Sequence, residues 1–233
     1  MVRRQRTVVL CTSAVSVLVI ASALIFVFCD RGTDINGLMY SAVEIEAGFG
    51  DYPAKGSGFI LSSDQDSILI VTNCHVISDA LGESVSNINV RFFNESGWHG
   101  AKVLSSDKTL DIAFLTVEGS TDAKPVKDGN SRSLSYGDCV YAVGNSAGLG
   151  MSISSGIISV PLVNVTYRGT DRVMIQTDVD LNKGGSGGPL FDREGGAIGM
   201  MTLRYTGSDN SVRGISYAIP MSTIRQYAES LDI

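Results

Sequence analysis

The sequence predicts an all-β protein that closes with one short helix and is preceded by a single N-terminal transmembrane helix. Three observations lead there. Apolar runs of strand length, at residues 69–77, 111–117 and 139–143, are set off by turn-forming Gly, Asp and Asn. Residues 7–29 carry no charged side chain, which is enough for a helix to cross a hydrocarbon core about 30 Å thick. After Pro220, Ser222 can cap a helix that places Ile224, Tyr227, Ala228 and Leu231 on one face.

The N-terminal segment carries its own topology signal. Residues 1–6 hold Arg3, Arg4 and Arg6, a basic tip that stays in the cytoplasm and leaves the rest of the chain beyond the span outside. A cleaved signal peptide would end its apolar stretch in small residues. Here Phe26, Val27 and Phe28 end it, which favours an uncleaved single-pass anchor. Residues 30–45 form a short tether, and residues 46–233 form the extracytoplasmic domain, periplasmic or extracellular.

Composition narrows the function. The net charge of −6 argues against nonspecific nucleic-acid binding, which needs a basic face. No His/Cys cluster has metal-ligand spacing, and no organic cofactor is expected. Cys11 and Cys29 fall in the membrane segment. Cys74 and Cys139 read as buried free thiols.

The chemistry centres on residues 182–190, Asn-Lys-Gly-Gly-Ser-Gly-Gly-Pro-Leu. A serine in a glycine-walled turn can be approached closely by a substrate. The amides of Gly184 and Ser186 can then face a developing oxyanion. The chain has two histidines, His75 and His99, and both precede Ser186. An α/β-hydrolase needs its histidine after the serine, so that reading fails. The order Asp, His, Ser of subtilisin needs an acid upstream of His75, where Asp51, Asp64 and Asp66 are available. The order His, Asp, Ser belongs to the chymotrypsin-like double β-barrel, and His75, Asp111 and Ser186 fit it. Asp111 is preferred over Asp107 because it abuts the apolar strand directly, where a carboxylate is held in one orientation. His99 lies in a turn-rich segment and reads as exposed or structural.

Five blocks then carry a resemblance. They are residues 56–60 (Gly-Ser-Gly-Phe-Ile), 71–77 (Val-Thr-Asn-Cys-His-Val-Ile) and 110–117 (Leu-Asp-Ile-Ala-Phe-Leu-Thr-Val), then 137–145 continuing to 159, and lastly 175–190 with 214–220. In these the chain resembles the HtrA (Deg) family of trypsin-like serine proteases. The resemblance implies two six-stranded barrels with the active site between them. Residues 46–120 would form the first and 130–220 the second, with the helix at 222–231. The polar stretch 118–130 suits the connection between them. The resemblance implies a catalytic triad of His75, Asp111 and Ser186. It also implies an oxyanion hole from the amides of Gly184 and Ser186, with Gly185 between them. Homotrimers are common in the family. Many members carry a C-terminal PDZ domain; the sequence leaves no room for one, and none is expected.

The departures matter too. The family usually has Asn where this chain has Gly185, and Pro where it has Lys183. Both changes loosen the oxyanion loop, so the loop is expected to become ordered with substrate or a regulator. Gly185 cannot pair with a new N-terminus, so activation by N-terminal cleavage is not expected. Asp180 lies six residues before the serine. It is either a specificity acid for Lys or Arg at P1, or a solvated loop acid beside a small apolar pocket lined by Leu181. The expected substrate pocket is Asp180, Leu181, Ser216 and Tyr217.

The expected function is a membrane-anchored serine endopeptidase acting on unfolded or extended protein chains. Its role would be protein quality control or regulatory proteolysis. The reading from a different class is a protease-fold binding or chaperone module with little or no catalysis.

Overall fold

In a computed structural model the described residues are 33–48, 53–78, 85, 87–119, 122–167, 169–209 and 211–233. The expected membrane span at 7–29 lies outside them. Among the described residues no helix is long and apolar enough to cross a membrane.

The unit from Asp34 onward begins with a helical turn, α1 (Ile35–Leu38), capped by the Asp34 carboxylate accepting from Gly37 N. It runs into the first barrel. Its strands are β1 (Ala42–Ala47), β2 (Ala54–Ser63), β3 (Ser67–Thr72), β4 (Ile88–Phe92), β5 (His99–Asp107) and β6 (Ile112–Glu118). They close antiparallel in the order β1-β2-β3-β6-β5-β4. Inward positions are mostly β-branched: Val43, Ile45, Ile60, Ile70, Val90 and Val117 pack into one buried cluster. Such side chains suit a half-buried pleated surface.

The second half holds β7 (Lys127–Asp128), β8 (Cys139–Gly144), β9 (Ser152–Tyr167), β10 (Thr170–Thr177), β11 (Pro189–Asp192), β12 (Gly196–Arg204) and β13 (Ser216–Pro220). Six of these run β11-β8-β9-β10-β13-β12, and a β11–β12 pairing joins the two ends into a ring. The short β7 lies parallel to β12 on its outside. Val140, Ile158, Ile175, Leu190 and Ile198 form the core of this ring. The architecture is therefore the all-β double barrel with a short C-terminal helix.

A third cluster joins the two barrels. Phe59, Val71 and Phe114 from the first pack with Met174, Phe191 and Met200 from the second. The terminal helix α2 (Met221–Ser230) seals this seam with Met221, Ile224 and Ala228, and Tyr227 stacks on Phe114. Ser222, expected as the helix cap, lies inside the first turn instead. Pro220 occupies the cap position without a side-chain bond. The Ser131 hydroxyl supplies an acceptor to Ser222 N from outside the helix, at 3.3 Å.

Cys139 is exposed rather than buried, and Cys74 is buried; both are free thiols. Cys139 is the first residue of β8 and stands on its outward face, while Val140 after it points inward.

Candidate active site

His75, Asp111 and Ser186 reach one place from three different turns. Strand β3 ends at Thr72, and a 3₁₀ turn over Cys74–Val76 carries His75 away from the barrel wall. Asn73 ties this turn to the next element, donating from Nδ2 to the Asp111 carbonyl at 3.0 Å. Asp111 stands just before β6 with φ of 58°. That left-handed conformation is uncommon outside glycine, though Asp tolerates it better than most. It sits in a turn whose Leu110 amide is held by the Asp107 carboxylate. Asp107 thus caps the turn that presents Asp111 and is bound there. Asp64 likewise holds the β2–β3 hairpin through Asp66 N and Ser67 N.

The Asp111 carboxylate is buried and accepts three donors. His75 N reaches Oδ1 at 3.0 Å, His75 Nδ1 reaches Oδ2 at 2.8 Å, and the Thr202 hydroxyl reaches Oδ2 at 2.7 Å. Burial alone would push its pKa up. Hydrogen bonding and charge from His75, with the Thr202 hydroxyl and the His75 amide, outweigh burial and hold it below the usual value. Such a carboxylate fixes one imidazole nitrogen and leaves the other facing outward.

Thr202 is the piece that sequence reasoning missed. The β12–β13 register shifts between Met201 and Leu203, so Thr202 has no partner residue on β13. Its side chain faces Asp111, and its carbonyl accepts from Ser186 Oγ at 3.3 Å. One residue of the second barrel therefore touches both Asp111 of the first barrel and Ser186.

The loop carrying Ser186 is held from several sides. Ser57 Oγ donates to the Gly184 carbonyl at 2.7 Å, and Ser57 N donates to the Ser186 carbonyl at 2.9 Å. Ala147 N takes the Lys183 carbonyl at 2.7 Å, and Gly187 N takes the Met201 carbonyl at 2.8 Å. Gly185 N is used within the loop, donating to the Asn182 carbonyl at 2.9 Å. The amides of Gly184 and Ser186 have no acceptor among the described residues. Gly184 has φ of 96°, and a side chain there would run into the Asn145 carbonyl. Only glycine keeps this amide orientation.

The Ser57 hydroxyl connects outward. It accepts from Asn145 N at 2.9 Å, and Asn145 Nδ2 donates to the buried Glu44 carboxylate, which also pairs with Arg91 at 2.8 Å. Arg91 in turn lies over the Trp98 ring. From the other side, Arg172 on β10 donates to the carbonyls of Lys108 and Thr109, in the turn leading to Asp111.

Of the expected pocket residues, Asp180 and Leu181 line one depression, and Ser216 and Tyr217 lie outside it. Asp180 is exposed and contacts Asn182 and Arg204. Leu181 is buried in the second-barrel core, beneath Gly185. With Asp180, Val143, Val179, Gly185 and Met201 it lines a shallow depression beside the loop. Ser216 is buried on β13 with no partner for its hydroxyl. Tyr217, on the opposite strand face, packs against the cluster between the barrels. His99 lies away from this site, bonded to Glu95 at 2.8 Å and set edge-on to Phe92. Among the described residues no group of three or more His, Cys, Asp or Glu is placed to hold a metal.

The trypsin-like peptidase domain family matches residues 56–200. Among curated relatives, the probable periplasmic serine endoprotease DegP-like of Pseudomonas fulva is 40% identical over 179 residues, which is 76% of this chain and 34% of the relative. The protein of the same description from Bartonella henselae is 36% identical over 178 residues, covering 76% of this chain and 33% of the relative. The chain thus spans about a third of the length of the curated relatives it matches. Among solved structures, the HtrA-type protease AlgW with a tripeptide superposes with a TM-score of 0.72 at 26% identity, covering 83% of this chain and 60% of that one. The serine endoprotease from Yersinia pestis superposes at 0.69 with 29% identity, covering 87% and 68%.

Proposed function

Because the chain belongs to the trypsin-like peptidases, in their HtrA/DegP branch, we propose that it is a serine endopeptidase in which His75, Asp111 and Ser186 form the catalytic triad. One observation carries the assignment. Thr202 binds the Asp111 carboxylate through its hydroxyl and the Ser186 hydroxyl through its carbonyl, and His75 is bonded to the same carboxylate, so the three side chains belong to one hydrogen-bonded chain.

The chemistry follows from these contacts. Ser186 Oγ turns from the Thr202 carbonyl toward the free nitrogen of His75. His75 takes the proton as the oxygen attacks a peptide carbonyl carbon. The amides of Gly184 and Ser186 receive the oxyanion. Asp111 stabilises the imidazolium, which then protonates the leaving amine. A water activated by the same histidine releases the acyl group.

The substrates are unfolded or extended proteins outside the cytoplasm, bound as an added strand along a barrel edge. The periplasmic description of the DegP-like relatives supports that compartment. The uncharged segment 7–29, with the basic tip before it, supports a single-pass anchor holding the domain at the membrane. Incubation of the full chain in detergent with a permanently unfolded protein tests this reading. Wild type is expected to cleave it, and Ser186→Ala is expected not to. Equal behaviour of the two proteins would point to a binding module instead. Carbonate extraction tests the anchor, and a full-length chain left in the soluble fraction would overturn it.

A further inference from the structure

Glu44 is a buried acid on a strand that needs none for its core. Its neighbours on β1, Val43 and Ile45, face the first-barrel core, so Glu44 stands on the outer face. Its register partners there are Ser57 on β2 and Arg91 on β4, which puts the three side chains in one row. The row is covered, and Glu44 keeps only 8% of its surface exposed. Two donors meet its Oε2, Arg91 Nη2 at 2.8 Å and Asn145 Nδ2. A buried ion pair adds little net stability, because desolvation offsets the attraction; what it supplies here is one fixed arrangement.

The arrangement is that of Asn145. A carboxylate only accepts hydrogen bonds, so Glu44 decides which end of the Asn145 amide faces it. Nδ2 is spent on Glu44, and Oδ1 is left to accept from Gly150 N at 2.8 Å. That bond closes the turn 145–150, in which Ala147 has φ of 62°. Alanine keeps such a conformation only where its surroundings hold it. Ala147 N donates to the Lys183 carbonyl at 2.7 Å. The Lys183 carbonyl and Gly184 N belong to one planar trans peptide and point opposite ways. Holding the carbonyl therefore sets the direction of Gly184 N, one of the two amides assigned to the oxyanion.

We propose that Glu44 is a positioning residue for the oxyanion hole, acting through the Asn145 amide and the turn 145–150 on the Lys183–Gly184 peptide. The proposal rests on the peptidase reading above. Arg91 balances the charge of Glu44, so the acid stays ionised and accepting where it is buried. Ser57 is a separate support, because its hydroxyl holds the next peptide through the Gly184 carbonyl. Neither His75 nor Asp111 takes part, so the effect of Glu44 falls on the oxyanion and leaves the acid–base pair alone.

Two charge-balanced variants differ only in what Asn145 meets. Glu44→Gln with Arg91→Met keeps an acceptor oxygen for Asn145 Nδ2, and Glu44→Met with Arg91→Met has none. The full chain in detergent is labelled by a fluorophosphonate over a range of reagent concentrations and pH. The variant without the acceptor is expected to have a limiting rate about tenfold to a hundredfold below wild type, because one oxyanion donor is misaimed. Its half-saturating concentration and the pH of half-maximal rate are expected to match wild type. The variant with the acceptor is expected to recover most of the lost rate. Equal limiting rates in the two variants would overturn the role of Glu44. So would a loss that comes with a shifted pH midpoint, which would place the effect at His75. If the variant without the acceptor does not melt cooperatively, Asn145→Asp serves in its place. It sets a second acceptor against Glu44 and is expected to show the same loss, and an unchanged rate there would overturn the role as well. Wild type that stays unlabelled overturns the peptidase reading and this role with it.

Discussion

The Thr202 hydroxyl donates to Asp111 Oδ2 at 2.7 Å across the seam between the barrels. This bond makes the acid's environment depend on both halves of the chain. Asp111 belongs to the first barrel and Thr202 to the second, and the same Thr202 carries the carbonyl to which Ser186 is bonded. Removing the hydroxyl while keeping the shape isolates its effect. Thr202→Val is expected to lower kcat/KM by about tenfold to a hundredfold, the loss of one hydrogen bond to a charged group at roughly 1.5–3 kcal/mol. Steady-state kinetics beside a thermal melt checks this, and unchanged kcat/KM would remove Thr202 from the mechanism.

Asp111 also links stability to pH. Its folded pKa lies below the ordinary carboxyl value, so the unfolded chain binds its proton more readily than the folded one. The group therefore contributes stability above its unfolded pKa of about 3.9, and that contribution is lost as pH falls through the lower folded value. Urea midpoints of wild type and Asp111→Asn should differ most at neutral pH and converge below about pH 4. Activity should fall by about 10⁴ in the same variant, because the amide no longer fixes the imidazole tautomer. A stability difference that grows on acidification would contradict the sign of this effect.

Ser57 tests the support of the oxyanion loop. Its buried hydroxyl donates to the Gly184 carbonyl and accepts from Asn145 N. Ser57→Ala leaves both backbone groups short of a partner, at about 1–3 kcal/mol for a buried unsatisfied group. The expected result is a lower unfolding midpoint together with slower acylation of Ser186. Stopped-flow acylation with an activated ester separates the two effects, and an unchanged acylation rate would show that the loop holds its shape without Ser57.

Much of this arrangement could be read from the residues. Two histidines, both ahead of the serine, left few catalytic orders to consider. The β-branched runs of β3 and β6 marked first-barrel strands directly, and their ends placed His75 and Asp111. Thr202 was hidden for a physical reason. It comes 16 residues after Ser186 on a strand whose register shifts at this very point, and a period of two cannot predict facing through a bulge. Leu181 could be read either way: an apolar residue beside a glycine-rich turn suits a pocket wall or a core, and here it belongs to the second-barrel core while lining a depression with Asp180. Cys139 looked buried because its strand is apolar, yet it stands at the strand's first, outward-facing position.

The most direct measurement is covalent labelling of the full chain in detergent by a fluorophosphonate, beside Ser186→Ala. The reagent needs an activated serine hydroxyl and an open oxyanion site, which are the two properties assigned to Ser186 and to the amides of Gly184 and Ser186. Labelling of wild type alone is the expected result. Wild type that stays unlabelled, even with an unfolded protein present, would contradict the assignment of this site as a working triad.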